Sequence, residues 1–201
     1  MVQNSVGRPR TSSRAMLEDA AAELFVEFTY AATTIDQIAQ RAGVSRNTFF
    51  NYFSAKSDLL WVEMDAALLL LESELASATG QPLEAVCGAI LSAAKQIGND
   101  RVPLALTQDD VMGTREETRS SGLVRLARRS DLLATFLAAR LGRRSTDLLV
   151  LVAANTLAGA VSAAWTAWAA NGIGRAPLAE YVERALDAVT VGLAASLADR
   201  P

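Results

Sequence analysis

The sequence predicts an all-α protein: a three-helix head holding a helix-turn-helix, then a larger helical body, about nine helices in all. Three observations carry this. Apolar residues recur at three- and four-residue steps along most of the 201-residue chain. A capped helical signal is followed closely by Gly43 and a second cap at Ser45. A charge-free run, Leu148 to Gly174, is followed after Gly172-Ile173-Gly174 and Pro177 by an amphipathic segment.

Composition narrows the chemistry. The chain is 51% apolar and 20% charged, enough to bury one large core or two small ones. It has no histidine and a single cysteine, Cys87, which excludes a His-based triad, a Cys/His zinc site and a disulfide within one protomer. No catalytic residue, metal or cofactor is expected, and a cytoplasmic setting fits best. The net charge of −3 alone argues against a polyanion partner, but its distribution does not. Residues 1 to 56 carry six basic and five acidic side chains, leaving thirteen basic and seventeen acidic for the rest, and residues 1 to 14 alone are +3.

Met1 to Ser13 lacks hydrophobic periodicity and any apolar signal-peptide core, so it is expected to be a basic arm, residues 1–14. Arg8 and Arg10 flank Pro9, a spacing that suits an extended segment in a minor groove as well as a solvated tail. From Ser12 or Ser13 to Phe28, Leu17, Ala20, Ala21, Leu24, Phe25 and Phe28 form one stripe. Thr34 with Gln37 matches a capping box, so a second helix is expected from about Ile35 to Ala42. Gly43 ends it and Ser45 caps a third helix, which completes a helix-turn-helix.

The third helix sets the expected function. At about 100° per residue, Arg46, Phe50, Asn47 and Asn51 share one arc of about 140°, while Phe49 and Phe53 fall together on the other side. Arg46 suits guanine, Asn47 or Asn51 suits adenine, and Phe50 suits a thymine methyl in a major groove. Tyr52 and Lys56 suit phosphates, and Thr34, Ser45 and Thr48 suit backbone positioning. A solvated helix face is the plainer reading, and it leaves the exposed Phe beside Arg and Asn unexplained.

These residues resemble the TetR family of transcriptional regulators. The head motif is met at Thr33, Ile35, Ile38, Ala39, Ala42, Gly43, Val44, Ser45, Thr48, Phe49, Tyr52, Phe53 and Lys56. The run Thr48 to Phe53, with Lys56 and Asp58-Leu59-Leu60-Trp61, looks most like the branch holding mycofactocin-type regulators. The resemblance implies a homodimer that binds double-stranded operator DNA, most often as a repressor, and a small-molecule effector such as an acyl-CoA. Three departures stand out: Phe50 where many members have Tyr, Thr29 where a Gly usually ends the first helix, and Ser54-Ala55 before Lys56. The Thr29 turn is therefore expected to be made another way.

The division expected is residues 15–56 for DNA binding and 57–201 for effector binding and dimerisation. A connector helix should run from about Ser57 to Ala78, ended by Gly80-Gln81-Pro82. Helices are then expected over Leu83–Ile97, Leu104–Met112 and Ser120–Leu141. Arg115, Arg119, Arg125, Arg128 and Arg129, offset by Glu116 and Glu117, form either a solvated face or a mouth for an anionic ligand. Trp61, Met64, Leu68, Arg119, Arg125, Trp165 and Trp168 are the candidate effector pocket.

The charge-free run is long enough to span a membrane, but its alanine-rich composition with Asn155, Thr156 and Ser162 favours a buried helix and no membrane partner. A membrane-anchored protein and a helical scaffold without DNA binding are the competing classes. By the resemblance, the last two helices pair with their symmetry mates, with Leu157, Val161, Ala164, Val182, Leu186 and Val189 as the candidate interface.

Overall fold

The computed structural model describes residues 13–107, 114–172 and 174–198. Arg8 and Arg10 lie outside them, as does the expected helix beyond Thr107. Among the described residues the chain is all-helical, with nine α-helices: α1 Ser13–Phe28, α2 Ile35–Arg41, α3 Arg46–Phe50, α4 Val62–Ser77, α5 Pro82–Lys95, α6 Leu104–Thr107, α7 Arg115–Leu141, α8 Leu148–Ala170 and α9 Leu178–Ala198.

The head packs α1 against α2 and α3 around Leu17, Leu24, Phe25, Ile38, Phe49 and Phe53, all nearly inaccessible. Phe28, expected in this stripe, is instead exposed in the last turn of α1. The corner after α1 holds a surprise. Thr29 takes φ 72°, the left-handed conformation that a glycine would supply, so the turn is not made another way. Thr33, buried at the same corner, holds it by donating its hydroxyl to the carbonyls of Thr29 (2.8 Å) and Leu24 (3.2 Å).

The connector is two pieces, not one. A short 3-10 turn over Lys56–Leu60 precedes α4, and Trp61 breaks between them at φ −122°, ψ 13°. The Asp58 carboxylate starts this segment: it accepts the N–H groups of Ser54 (2.8 Å) and Ala55 (3.0 Å), compensating for an N-cap, Ala55, whose methyl group cannot cap.

In the body, α5 begins with Pro82 at its first turn, α7 begins at Arg115 instead of Ser120, and α7 ends at Gly142. The charge-free α8 lies between α7 and α9, with Val150, Ala153, Ala154, Leu157, Ala158 and Trp168 buried completely. It is long and apolar enough to cross a membrane, yet its apolar stripe is spent on its own protomer's core. That packing corrects the expected dimer interface. Leu157, Val161, Ala164, Val182 and Leu186 are all buried within the protomer and Val189 is half-buried, so the face left for a partner is a different one.

Candidate nucleic-acid interface and effector cavity

Helix α3 and the turn before it are held by two caps. Thr34 Oγ1 accepts the Gln37 N–H (3.2 Å) while Gln37 Oε1 accepts the Thr34 N–H (2.7 Å), so the capping box closes at the start of α2. Gly43 at φ 68° turns the chain, and Ser45 Oγ accepts the Thr48 N–H (3.1 Å) to cap α3. Below, Phe49 is fully buried and stacks edge-on with Phe50 and tilted against Phe53. One face of a five-residue helix is thereby fixed, and the opposite face is free.

On that free face Arg46, Asn47, Phe50 and Asn51 are all exposed, Phe50 at 46%, and Tyr52, past the end of the helix, is 43% exposed. Arg46 reaches back to Asp36 (2.7 Å) and lies 5.4 Å over the Phe50 ring. The exposed pair is weak and readily exchanged for another acceptor. Asn51 closes the helix in a right-handed conformation, which keeps its side chain on the same arc as Asn47. Thr48 is half-buried, with its hydroxyl against Ser45 Oγ (2.9 Å).

Lys56 is a correction. Its ammonium donates to the carbonyls of Tyr30 and Thr33, both at 2.7 Å, and lies 4.0 Å from the Tyr30 ring centre. Partial burial holds the ammonium below the usual lysine range. It therefore ties the end of the helix-turn-helix to the α1–α2 corner instead of standing free for a phosphate. On the other side of α2, Arg41 bridges Glu27 and Glu23 of α1, and that hydrogen bond lowers the Glu27 carboxyl.

A cavity of about 230 Å³ opens in the body between α4, α6, α7 and α8. Five of the expected residues line it: Trp61, Met64, Arg119, Arg125 and Trp165. Two do not. Leu68 is buried core on α4, and Trp168, fully buried, donates its indole N–H to the Ala176 carbonyl (3.0 Å) and so fastens the α8–α9 turn. The cavity wall nearest the head is tightly built. Trp61 Nε1 donates to Ser121 Oγ (2.8 Å), and a Cβ at Gly122 would meet the Trp61 ring at 3.1 Å, so any side chain there would press on the indole.

The basic run divides by burial. Arg119 and Arg128 are exposed, while Arg125 and Arg129 are buried. Arg125 donates twice to Asp65 (2.9 and 2.6 Å) and once to Asp58 (3.1 Å), so its charge is compensated. Arg129, one turn further along α7, also lines the cavity and is treated below. The acids Asp58 and Asp65 were not singled out as site residues from sequence; their spacing from Arg125 in the chain gives no local signal, and only α7 packing on the connector brings them together.

Residues 17–61 match the family model described as bacterial regulatory proteins, tetR family, and residues 80–194 match the MftR C-terminal domain. Over 193 residues the chain is 26% identical to the protein named mycofactocin biosynthesis transcriptional regulator MftR of Mycobacterium tuberculosis, spanning 95% of this chain and 96% of that one. Among solved structures, Thermus thermophilus FadR, a TetR family transcriptional repressor in complex with lauroyl-CoA, is similar at a TM-score of 0.52 and 27% identity, over 89% of this chain and 94% of that one. The fatty acid degradation regulator FadR of Bacillus halodurans shares the fold at a TM-score of 0.59 and 22% identity, over 92% and 98%. An all-helical chain with a capped helix-turn-helix head, matched by both models over most of its length, belongs to the TetR family of bacterial transcriptional regulators, with a body of the MftR C-terminal type.

Proposed function

We propose that this regulator is a cytoplasmic homodimeric repressor whose two heads read a palindromic operator in the major groove and whose DNA is released by a small, largely apolar effector. The observation that carries the reading is the outward arc of Arg46, Asn47, Phe50 and Asn51 on a helix capped at Ser45 and anchored by buried Phe49. Arg46 and the two asparagines contact base edges, Phe50 contacts a thymine methyl, and Thr34, Ser45, Thr48 and Tyr52 position the backbone. Arg8 and Arg10 serve as a minor-groove arm. Residues 15–56 form the reading head, and 57–201 the body that senses and dimerises.

Dimerisation uses the outer face of α8 and α9, where exposed Ala163 and Ala167 line a groove with Tyr181, Arg184 and Ala185, and Val152 is exposed about three turns earlier on the same helix. Small side chains there allow a symmetry mate to approach closely. Two heads so held at about one helical turn, or a multiple of it, match operator half-sites.

The effector occupies the 230 Å³ cavity. An acyl-CoA is one candidate, supported by the lauroyl-CoA complex of Thermus thermophilus FadR. In that case the acyl chain enters between Trp61 and Trp165, while the nucleotide end stays outside near Arg119. Entry disturbs the Trp61–Ser121 and Asp58–Arg125 contacts that join α7 to the foot of the head. A ligand that favours the arrangement with the wrong head spacing shifts the population and releases DNA, for which about 3 to 5 kcal/mol of differential affinity suffices.

The experiment is binding of the purified protein to its own upstream DNA by fluorescence anisotropy across a salt series. The proposal expects saturable binding that weakens steeply with salt, as phosphate contacts require. Equal binding to upstream and scrambled DNA would contradict it.

A further inference from the structure

Arg129 is 4% exposed, yet the structure gives its guanidinium only one hydrogen-bond partner among the described residues, the neutral hydroxyl of Ser162, which accepts from Nη1 at 3.1 Å. The carboxylate whose charge reaches it, Asp65, is already bound bidentately by Arg125. No salt bridge to Arg129 is present among the described residues, although seven other ion pairs are. Burial lowers the guanidinium to about 10, in keeping with a cation that has lost water without gaining a hydrogen-bonded counter-ion among the described residues.

Space lies on both sides of this cation. Arg129 and Trp165 border the 230 Å³ cavity and also a second void of about 30 Å³ enclosed by Ala67, Leu71, Ile90 and Val161. The second void is apolar and holds no acceptor for the guanidinium. The larger cavity is lined by Leu126 and Trp165 with the Ser162 hydroxyl and by three arginines, of which Arg119 is exposed and Arg125 is paired with Asp58 and Asp65, leaving Arg129 as its buried cation without a carboxylate partner among the described residues. Elsewhere in the lining, Thr118 Oγ1 is buried with no hydrogen-bond partner among the described residues.

We propose that Arg129 is the anion receptor of the effector cavity and that the effector carries a free carboxylate, bound by the guanidinium fork at the inner end, with an apolar chain lying back against Leu126, Trp165 and Trp61. This deepens the effector reading above and rests on it. A planar carboxylate matches the guanidinium in a bidentate pair, whereas a thioester carbonyl offers one weaker acceptor and leaves the buried charge uncompensated. The cavity, at about 230 Å³, admits the carboxylate and a chain of modest length but not a nucleotide. Arg129 follows Arg125 by one turn of α7, so a ligand that seizes Arg129 acts on the helix that holds Asp58 at the foot of the head.

The test uses the full-length protein and three probes of equal chain length: sodium octanoate, 1-octanol and octanoyl-CoA. Binding is read by quenching of tryptophan fluorescence and by the shift in melting temperature. Wild type is expected to bind octanoate about 10- to 100-fold more tightly than octanol, the range a charge-assisted pair contributes. Arg129→Met, which keeps the volume and removes the charge, should erase that preference by weakening octanoate binding to the level of octanol; Arg129→Lys should lose part of it.

Equal affinity of wild type for octanoate and octanol would overturn the assignment, whether or not the variants fold. So would an octanoate preference unchanged in Arg129→Met. Octanoyl-CoA binding without octanoate binding would overturn the free carboxylate and leave an effector-responsive regulator standing. Operator binding unaffected by any of these probes, with octanoate still seated at Arg129, would uphold the receptor and count against the release mechanism.

Discussion

Asp58 and Arg125, sixty-seven residues apart, meet at 3.1 Å where the 3-10 turn leaving the head touches α7 of the body. The same carboxylate accepts the N–H groups of Ser54 and Ala55 with its other oxygen, so one side chain both starts the connector and fastens it to α7. Arg125 completes the joint with Asp65 and lies 5.5 Å over the Trp61 ring. Arg125→Met leaves two largely buried carboxylates without their cation. The expected loss is about 3 kcal/mol, roughly 6–12 °C in Tm, checked by thermal melting. A variant that melts like wild type would show that the joint is not structural.

Thr29 is the opposite case, a residue that costs stability where it stands. A β-branched side chain at φ 72° is strained, and its own side chain is exposed. Thr29→Gly should raise stability by about 1 kcal/mol, net of the extra freedom glycine has when unfolded. Chemical denaturation at constant m-value checks it; the hydroxyl of Thr33 still has the Thr29 carbonyl as acceptor in the variant.

Much of the head was legible in the sequence because each signal is local. The Thr34–Gln37 box, the Gly43 turn, the Ser45 cap and the Phe49–Phe53 anchor follow from spacing alone, and each is present. What was misread depends on distant partners. Lys56 at the end of the motif looks free until the carbonyls of Tyr30 and Thr33 close over it. Trp168 looks like a cavity wall until the Ala176 carbonyl claims its N–H. Arg125 and Arg129 have the same charge and the same helix face, and only the position of Asp58 and Asp65 separates the compensated cation from the uncompensated one. In α8, alanine on every side gives periodicity little contrast with which to test the interface that the resemblance implies, and two residues expected there, Leu157 and Val161, are buried within the protomer.

That correction yields its own prediction. Val152→Arg, on the exposed face of α8, should convert a dimer into a folded monomer with a clear shift in light-scattering mass. Leu157→Ala should instead weaken the protomer itself, by about 2–5 kcal/mol, since it opens a cavity in a site with no exposure. A Val152→Arg protein that remains dimeric at micromolar concentration would move the interface elsewhere.

Cys87, half-buried in a groove between α5 and α9, has its thiol pushed up to about 11 by burial. Because the thiolate is the reactive form and the fold disfavours it, alkylation by iodoacetamide should be slow at pH 8 and accelerate as pH approaches 11. Rapid modification at pH 7 would contradict that sign. Slow modification also fits a small packed hydrophobe, the role its surroundings give it.

The central claim is that the Arg46–Asn51 face reads sequence, and one comparison tests it most directly. Fluorescence anisotropy would measure wild type and Asn51→Ala against the operator fragment and against a scrambled fragment, at one salt concentration. The account predicts that Asn51→Ala loses about 1–3 kcal/mol on the operator and little on scrambled DNA, with its dimer mass unchanged, because a base contact has gone and the phosphate contacts remain. Undiminished operator affinity in Asn51→Ala and Arg46→Ala alike would contradict it and remove this face from the reading of DNA.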